Sequence, residues 1–151
     1  MPARPELRAI WYESEPLMRR MYDEVYRARR HRVEFSVILI TMRRQAGFQV
    51  REILQGGFRQ IDFAGMIDEH QAAFGLPHTG RAGALVVRDN IVPRLYDFVP
   101  LVGVATAPED GETPYALLMA AEKKQEGRDV ILPDGPLYKA GRAGFTVKGA
   151  H

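Results

Sequence analysis

The sequence predicts an α+β domain in which helices cover a central antiparallel sheet, and three stretches carry that prediction. Residues 59 to 77 read RQIDFAGMIDEHQAAFGLP, two short apolar segments around the polar run Asp68-Glu69-His70-Gln71, which is the pattern of a β-hairpin. Phe35-Ser36-Val37-Ile38-Leu39-Ile40 is short, β-branched and apolar, as a buried central strand requires. Phe98 to Thr106, FVPLVGVAT, repeats that character, with Pro100 near its start hinting at an edge or a bulge.

Taken in order, Met1 to Glu13 shows no clear period and predicts an arm held to the domain by Ile10 and Trp11. From Ser14, read as an N-cap, a helix begins with Glu15 and Pro16 in its first turn and a stripe of Leu17, Met21, Val25 and Ala28. Arg29 and Arg30 in its last turn complement the helix dipole. Gln49 to Leu54 suits a short helix that Gly56-Gly57 interrupts. After the hairpin, His78-Thr79-Gly80 is a turn, and Ala82 to Val92 suits a helix ended by Pro93. Pro108-Glu109-Asp110-Gly111 turns the chain, Thr113 caps a helix with Pro114 at its first position, and Gly127 is its stop. Asp129 to Lys139 reads as a hairpin around Asp134-Gly135. Residues 127 to 151 are therefore expected to form an extension beyond a domain of residues 14 to 126.

Composition narrows the function. The chain has 151 residues, 46% apolar and 26% charged, enough for one domain with a sizeable core. It contains no cysteine, which removes disulfides, thiolate nucleophiles and zinc ribbons. His31, His70, His78 and His151 lack metal-ligand spacing. A net charge of +2 is too small to predict general polyanion binding, so DNA is not an expected partner despite the basic cluster from Arg27 to Arg32. No apolar run matches a membrane span, and the expectation is a soluble, cytoplasmic domain making no membrane contact. Gly80-Arg81-Ala82-Gly83 lacks the Lys-Ser/Thr of a phosphate loop.

The hairpin has a further property. Arg59-Gln60-Ile61-Asp62 stands as RxxD, five residues follow from Phe63 to Ile67, then Asp68-Glu69-His70-Gln71-Ala72, then a strand ending at Pro77. With RARRHRVEFSVILITM before it and LVGVATAPEDGETPYALLMAAE after it, this order resembles that of GGDEF domains, the diguanylate cyclase family. The resemblance spans roughly residues 14 to 126 and implies the palm-like fold of nucleotide cyclases.

It also implies what has been lost. Asp68, Glu69, His70, Gln71 and Ala72 occupy the signature, so Asp68 and Glu69 stand where the family has glycines, and His70 and Gln71 where it has acids. Thr41 falls on the metal-binding Asp of the first palm strand, and Arg43 on the second acidic position. The segment that contributes to holding guanine is missing between Thr41 and Asp62. The resemblance therefore implies a degenerate domain that is not an enzyme and needs no cofactor. A rival reading makes Asp68, Glu69 and His70 a new acid/base or metal cluster; the bland one is a solvated polar tip.

Arg59 and Asp62 survive. In the family such a pair forms an inhibitory site for cyclic di-GMP, with Arg meeting phosphate or a guanine edge, Asp accepting from guanine nitrogens, and a further Arg from the next helix. Arg88 is the nearest candidate for that third residue, with Arg81 and Arg94 behind it. The competing reading is a surface ion pair of little energetic consequence. The functional expectation is a regulatory domain that binds cyclic di-GMP and signals to a protein partner, with homodimerisation left open. The alternative is a nucleotide-independent interaction scaffold on the same fold.

Overall fold

The computed structural model describes residues 10–44, 49–54, 56 and 58–127. The hairpin expected at 129 to 139 lies outside the described residues. Five strands form one sheet: β1 (Ile10–Tyr12), β2 (Phe35–Met42), β3 (Phe63–Asp68), β4 (Gln71–Pro77) and β5 (Pro100–Ala107), in the spatial order β1-β3-β4-β2-β5. Helices α1 (Ser14–His31), α2 (Gln49–Ile53), α3 (Arg81–Ile91) and α4 (Pro114–Lys123) complete the α+β architecture, with a 3₁₀ segment over Val92–Phe98.

The strands from β2 to β5 pair antiparallel as expected. The sheet is nonetheless mixed, because Ile10–Tyr12 runs parallel to β3, with Trp11 opposite Ala64 and Tyr12 opposite Gly65. The end of the expected arm is thus a strand. Trp11 sets its ring edge-on to Phe74 at 5.7 Å, and Tyr12 does the same to Phe63 at 6.1 Å.

Side-chain alternation on β2 divides the core in two. Ile38, Ile40 and Met42 face Val50, Leu54, Ala84, Ile91 and Leu95, whereas Phe35, Val37 and Leu39 face the buried stripes of α1 and α4. The α1 stripe is the expected one, Leu17, Met21, Val25 and Ala28. Arg20 pins this helix to the sheet: Nε donates to Glu24 at 2.9 Å, Nη1 to the Tyr12 hydroxyl at 2.9 Å, and the guanidinium lies 4.5 Å from the Phe63 ring centre.

Element ends differ from expectation in three places. The N-cap of α1 is Glu13 rather than Ser14, and no side chain bonds the free amides there. Helix α3 ends before Pro93 as expected, but at Ile91 rather than Val92, and the chain winds on as the 3₁₀ segment with proline in its first turn, where a missing N–H costs nothing. Helix α4 ends at Lys123, short of Gly127, after which Glu126 pairs with Val102 and covers the open edge of β5. The cap at the start of α4 is as expected: the Thr113 hydroxyl accepts from the Ala116 amide at 3.1 Å.

Candidate functional site

Arg59 and Asp62 flank the turn that enters β3, closed by the Asp62 amide donating to the Arg59 carbonyl at 3.0 Å. The carboxylate returns the contact twice: Oδ2 accepts from the Arg59 amide at 2.7 Å, and Oδ1 from Arg59 Nη2 at 3.0 Å. The same Nη2 donates to the Pro77 carbonyl at 2.6 Å and meets the Thr79 hydroxyl. The entrance of the hairpin is thereby tied to its exit.

Accessibility separates the pair. The Arg59 side chain is 50% exposed and that of Asp62 only 3%, so of the two only Arg59 offers a surface to a ligand. No hydrogen bond or ion pair joins Arg88 to either of them. Its guanidinium pairs with Asp89 at 2.9 Å and helps line a cavity of about 480 Å³ with Arg43, Asp89, Tyr96, Val99 and Glu126. Neither Arg59 nor Asp62 lines that cavity.

At the far end of the hairpin, Glu69 and His70 make the turn between β3 and β4. Asp68 Oδ1 accepts from the His70 amide at 2.7 Å, and the His70 carbonyl accepts from the Met42 amide at 2.7 Å, which joins the turn to β2. Glu69 is exposed and His70 half-buried, but Gln71 and Ala72 are buried, so the expected solvated tip narrows to the turn itself. Asp68 pairs in register with Gln71, and Gln71 with Thr41. Gln71 Nε2 donates to Thr41 Oγ1 at 3.3 Å, and Gln125 Nε2 donates to the same oxygen at 2.8 Å and to the Leu101 carbonyl at 3.2 Å. Asp68 Oδ2 and Gln71 Oε1 are buried acceptors without a hydrogen-bond partner. Among the described residues, no group of three or more His, Asp or Glu side chains could hold a metal ion.

No protein-family model matches the sequence, and no curated protein matches it. Solved structures do match its fold. The chain is similar to the GGDEF domain of YfiN from Pseudomonas aeruginosa, with a TM-score of 0.60 and 22% identity over 73% of this chain and 84% of that one. It is similar to a DGC protein from Thermotoga maritima, with a TM-score of 0.66 and 15% identity over 82% of this chain and all 100% of the other. The GGDEF domain of DgcB from Caulobacter crescentus, solved in complex with c-di-GMP, gives a TM-score of 0.61 at 8% identity over 80% of this chain and 86% of that one. The fold is that of a GGDEF domain.

On the GGDEF fold, the hairpin turn and the end of β2 are where magnesium is implied. The residues there do not fit the ion. Magnesium is held through carboxylates and phosphate oxygens. Here the β2 position is a hydroxyl whose oxygen already accepts from two amides, the neighbouring β4 position is a carboxamide, and Arg43 brings a positive charge two residues beyond Thr41. Asp68 is the only carboxylate in this register row.

Two participants lay beyond sequence reasoning. Gln125 follows α4 with no periodic signal and reaches β2 across 84 positions of chain. Thr79, expected only as part of a turn, anchors Arg59 while its own hydroxyl donates to the Pro77 carbonyl at 3.0 Å. Among the described residues, no helix is long and apolar enough to cross a membrane.

Proposed function

We propose that this chain is a catalytically silent regulatory domain on the GGDEF fold, which recognises cyclic di-GMP through Arg59 and passes the bound state to a protein partner. The observation that carries this reading is the anchoring of Arg59. Its Nη2 is committed to Asp62, Pro77 and Thr79 while half of the side chain remains exposed. A guanidinium held in one plane loses little further freedom when it meets phosphate oxygens, so its donors favour an anionic ligand more than a mobile arginine would.

The role of Asp62 changes within this reading. With both oxygens used by Arg59 and the side chain buried, it acts as a positioning residue, not as an acceptor for guanine. Arg88 belongs to a separate cavity and enters the reading only as a second cation, to be tested by its own substitution.

The chemistry at the turn supports catalytic silence. Joining two nucleoside triphosphates needs metal ions between oxygens that would otherwise repel. Thr41, Gln71 and Gln125 form a neutral, buried hydrogen-bonded cluster instead. A domain without that chemistry acts through contact, which is why a protein partner is part of the proposal.

The burial of Asp62 favours a second reading, a scaffold that binds no nucleotide and uses the turn at Glu69 and His70 for protein contacts. A thermal-shift comparison separates the two, because a ligand specific for the native state raises the melting temperature. Cyclic di-GMP raises it and GTP with magnesium does not, if the first reading holds. No shift with either supports the scaffold.

A further inference from the structure

Helix α1 turns an unusual side to water. Tyr22 and Tyr26 are 59% and 64% exposed, and Tyr115 on the neighbouring α4 is 49% exposed. The two helices cover the same face of the sheet, and Arg29 Nε meets Glu112 Oε1 at 3.5 Å between them. Large aromatic rings left on a helix flank cost hydration free energy that a partner would recover.

The order of residues along that flank identifies the partner. Glu15, Met18, Tyr22, Tyr26 and Arg29 follow one another at spacings of 3, 4, 4 and 3 residues, which share one side of an α-helix. This series reads the same in both directions about Tyr22, and Tyr22 stands near the middle of the 18-residue helix. An antiparallel copy of α1 related by a two-fold axis at Tyr22 would place Tyr22 against its mate and Met18 against Tyr26. Glu15 would then lie against Arg29 at both ends, about 10 Å from the axis at 1.5 Å per residue. Glu15 and Arg29 are both well exposed. The remaining charges oppose no like charge in this register: Arg19 falls opposite Val25, Asp23 opposite Met21, Arg27 opposite Leu17 and Arg30 opposite Ser14. The helix dipoles also run antiparallel, which is the favourable sense.

We infer that this flank is a homodimer interface and that its occupant is α1 of a second copy of the chain. Self-complementarity of charge and of apolar spacing is what a two-fold interface demands and what a foreign partner does not. The inference is independent of cyclic di-GMP.

Sedimentation equilibrium of the full chain, free of nucleotide, is the test. It yields a dimer at ~100 µM, and Tyr22→Lys yields a monomer with an unchanged circular dichroism spectrum. Glu15→Arg weakens association about tenfold, and adding Arg29→Glu restores it, since the exposed Arg29–Glu112 pair contributes little to the fold. The chain has no cysteine, so Tyr22→Cys introduces a lone thiol at the axis, and mild oxidation gives a disulfide-linked dimer. A monomeric native chain at that concentration overturns the inference. So does a dimer that survives Tyr22→Lys, and so does a double charge reversal that fails to restore association.

Discussion

The carboxylate of Asp62 meets Arg59 at both of its oxygens, Oδ2 taking the backbone amide at 2.7 Å and Oδ1 taking Nη2 at 3.0 Å. A pair legible in sequence as a ligand site is therefore first a clamp on the mouth of the hairpin. Removing the buried acceptor strands a backbone N–H and leaves the guanidinium held only by Pro77 and Thr79. Asp62→Ala is expected to lower stability by ~1–3 kcal/mol, and Asp62→Asn, which keeps one acceptor, by less. Urea unfolding measures both, and equal stability of Asp62→Ala and the native chain would remove the clamp.

A second test concerns the layer contact between β5 and α4. A Cβ at Gly103 would collide with the carbonyl oxygen of Ala121 and approach the Gln125 amide at 3.0 Å. Backbone cannot yield as a side-chain tip can, so Gly103→Ala should cost ~1–3 kcal/mol or more. The same shift should loosen Gln125 from Thr41, which amide hydrogen exchange over β2 would register as faster exchange.

These two sites mark what the sequence could and could not say. The α1 stripe, the hairpin and the Thr113 cap were legible because each rests on local periodicity or on a residue with one strong conformational preference. Ile10–Tyr12 was not, since three residues hold no period and a parallel partner depends on chain far away. The burial of Gln71 inside a polar run, and its link through Thr41 to Gln125, is likewise a product of register across three segments. The RxxD spacing was plain, yet the anchoring of Arg59 depends on the Pro77 carbonyl at the hairpin's exit and on the Thr79 hydroxyl just beyond it.

The loop between β5 and α4 predicts an acid response. Burial pushes Asp110 up, but the Lys124 ammonium at 2.8 Å and the Thr106 amide at 2.8 Å outweigh it and hold the carboxyl below its usual 3.8. A group lowered on folding stabilises the native state above its unfolded value and loses that contribution as pH falls through its folded value. Stability should thus decline below about pH 4, and Lys124→Met should make the decline shallower. Melting temperatures of both proteins between neutral and acid pH measure this, and parallel curves would contradict it.

Magnesium provides a test of the turn. The native chain should show no stability change on adding the ion and form no cyclic di-GMP from GTP. Thr41→Asp with Gln71→Glu puts two buried carboxylates beside Asp68, which should destabilise the chain by several kcal/mol without metal and recover on adding magnesium. Thermal melts with and without the ion distinguish these outcomes, and a native chain stabilised by magnesium would overturn the assignment.

Recognition of cyclic di-GMP through Arg59 is decided by calorimetric titration of the dinucleotide into the native chain and into Arg59→Ala. A saturable heat is expected for the native chain and none for the variant. A flat trace for the native chain at high protein concentration, or the same heat in both, would contradict it.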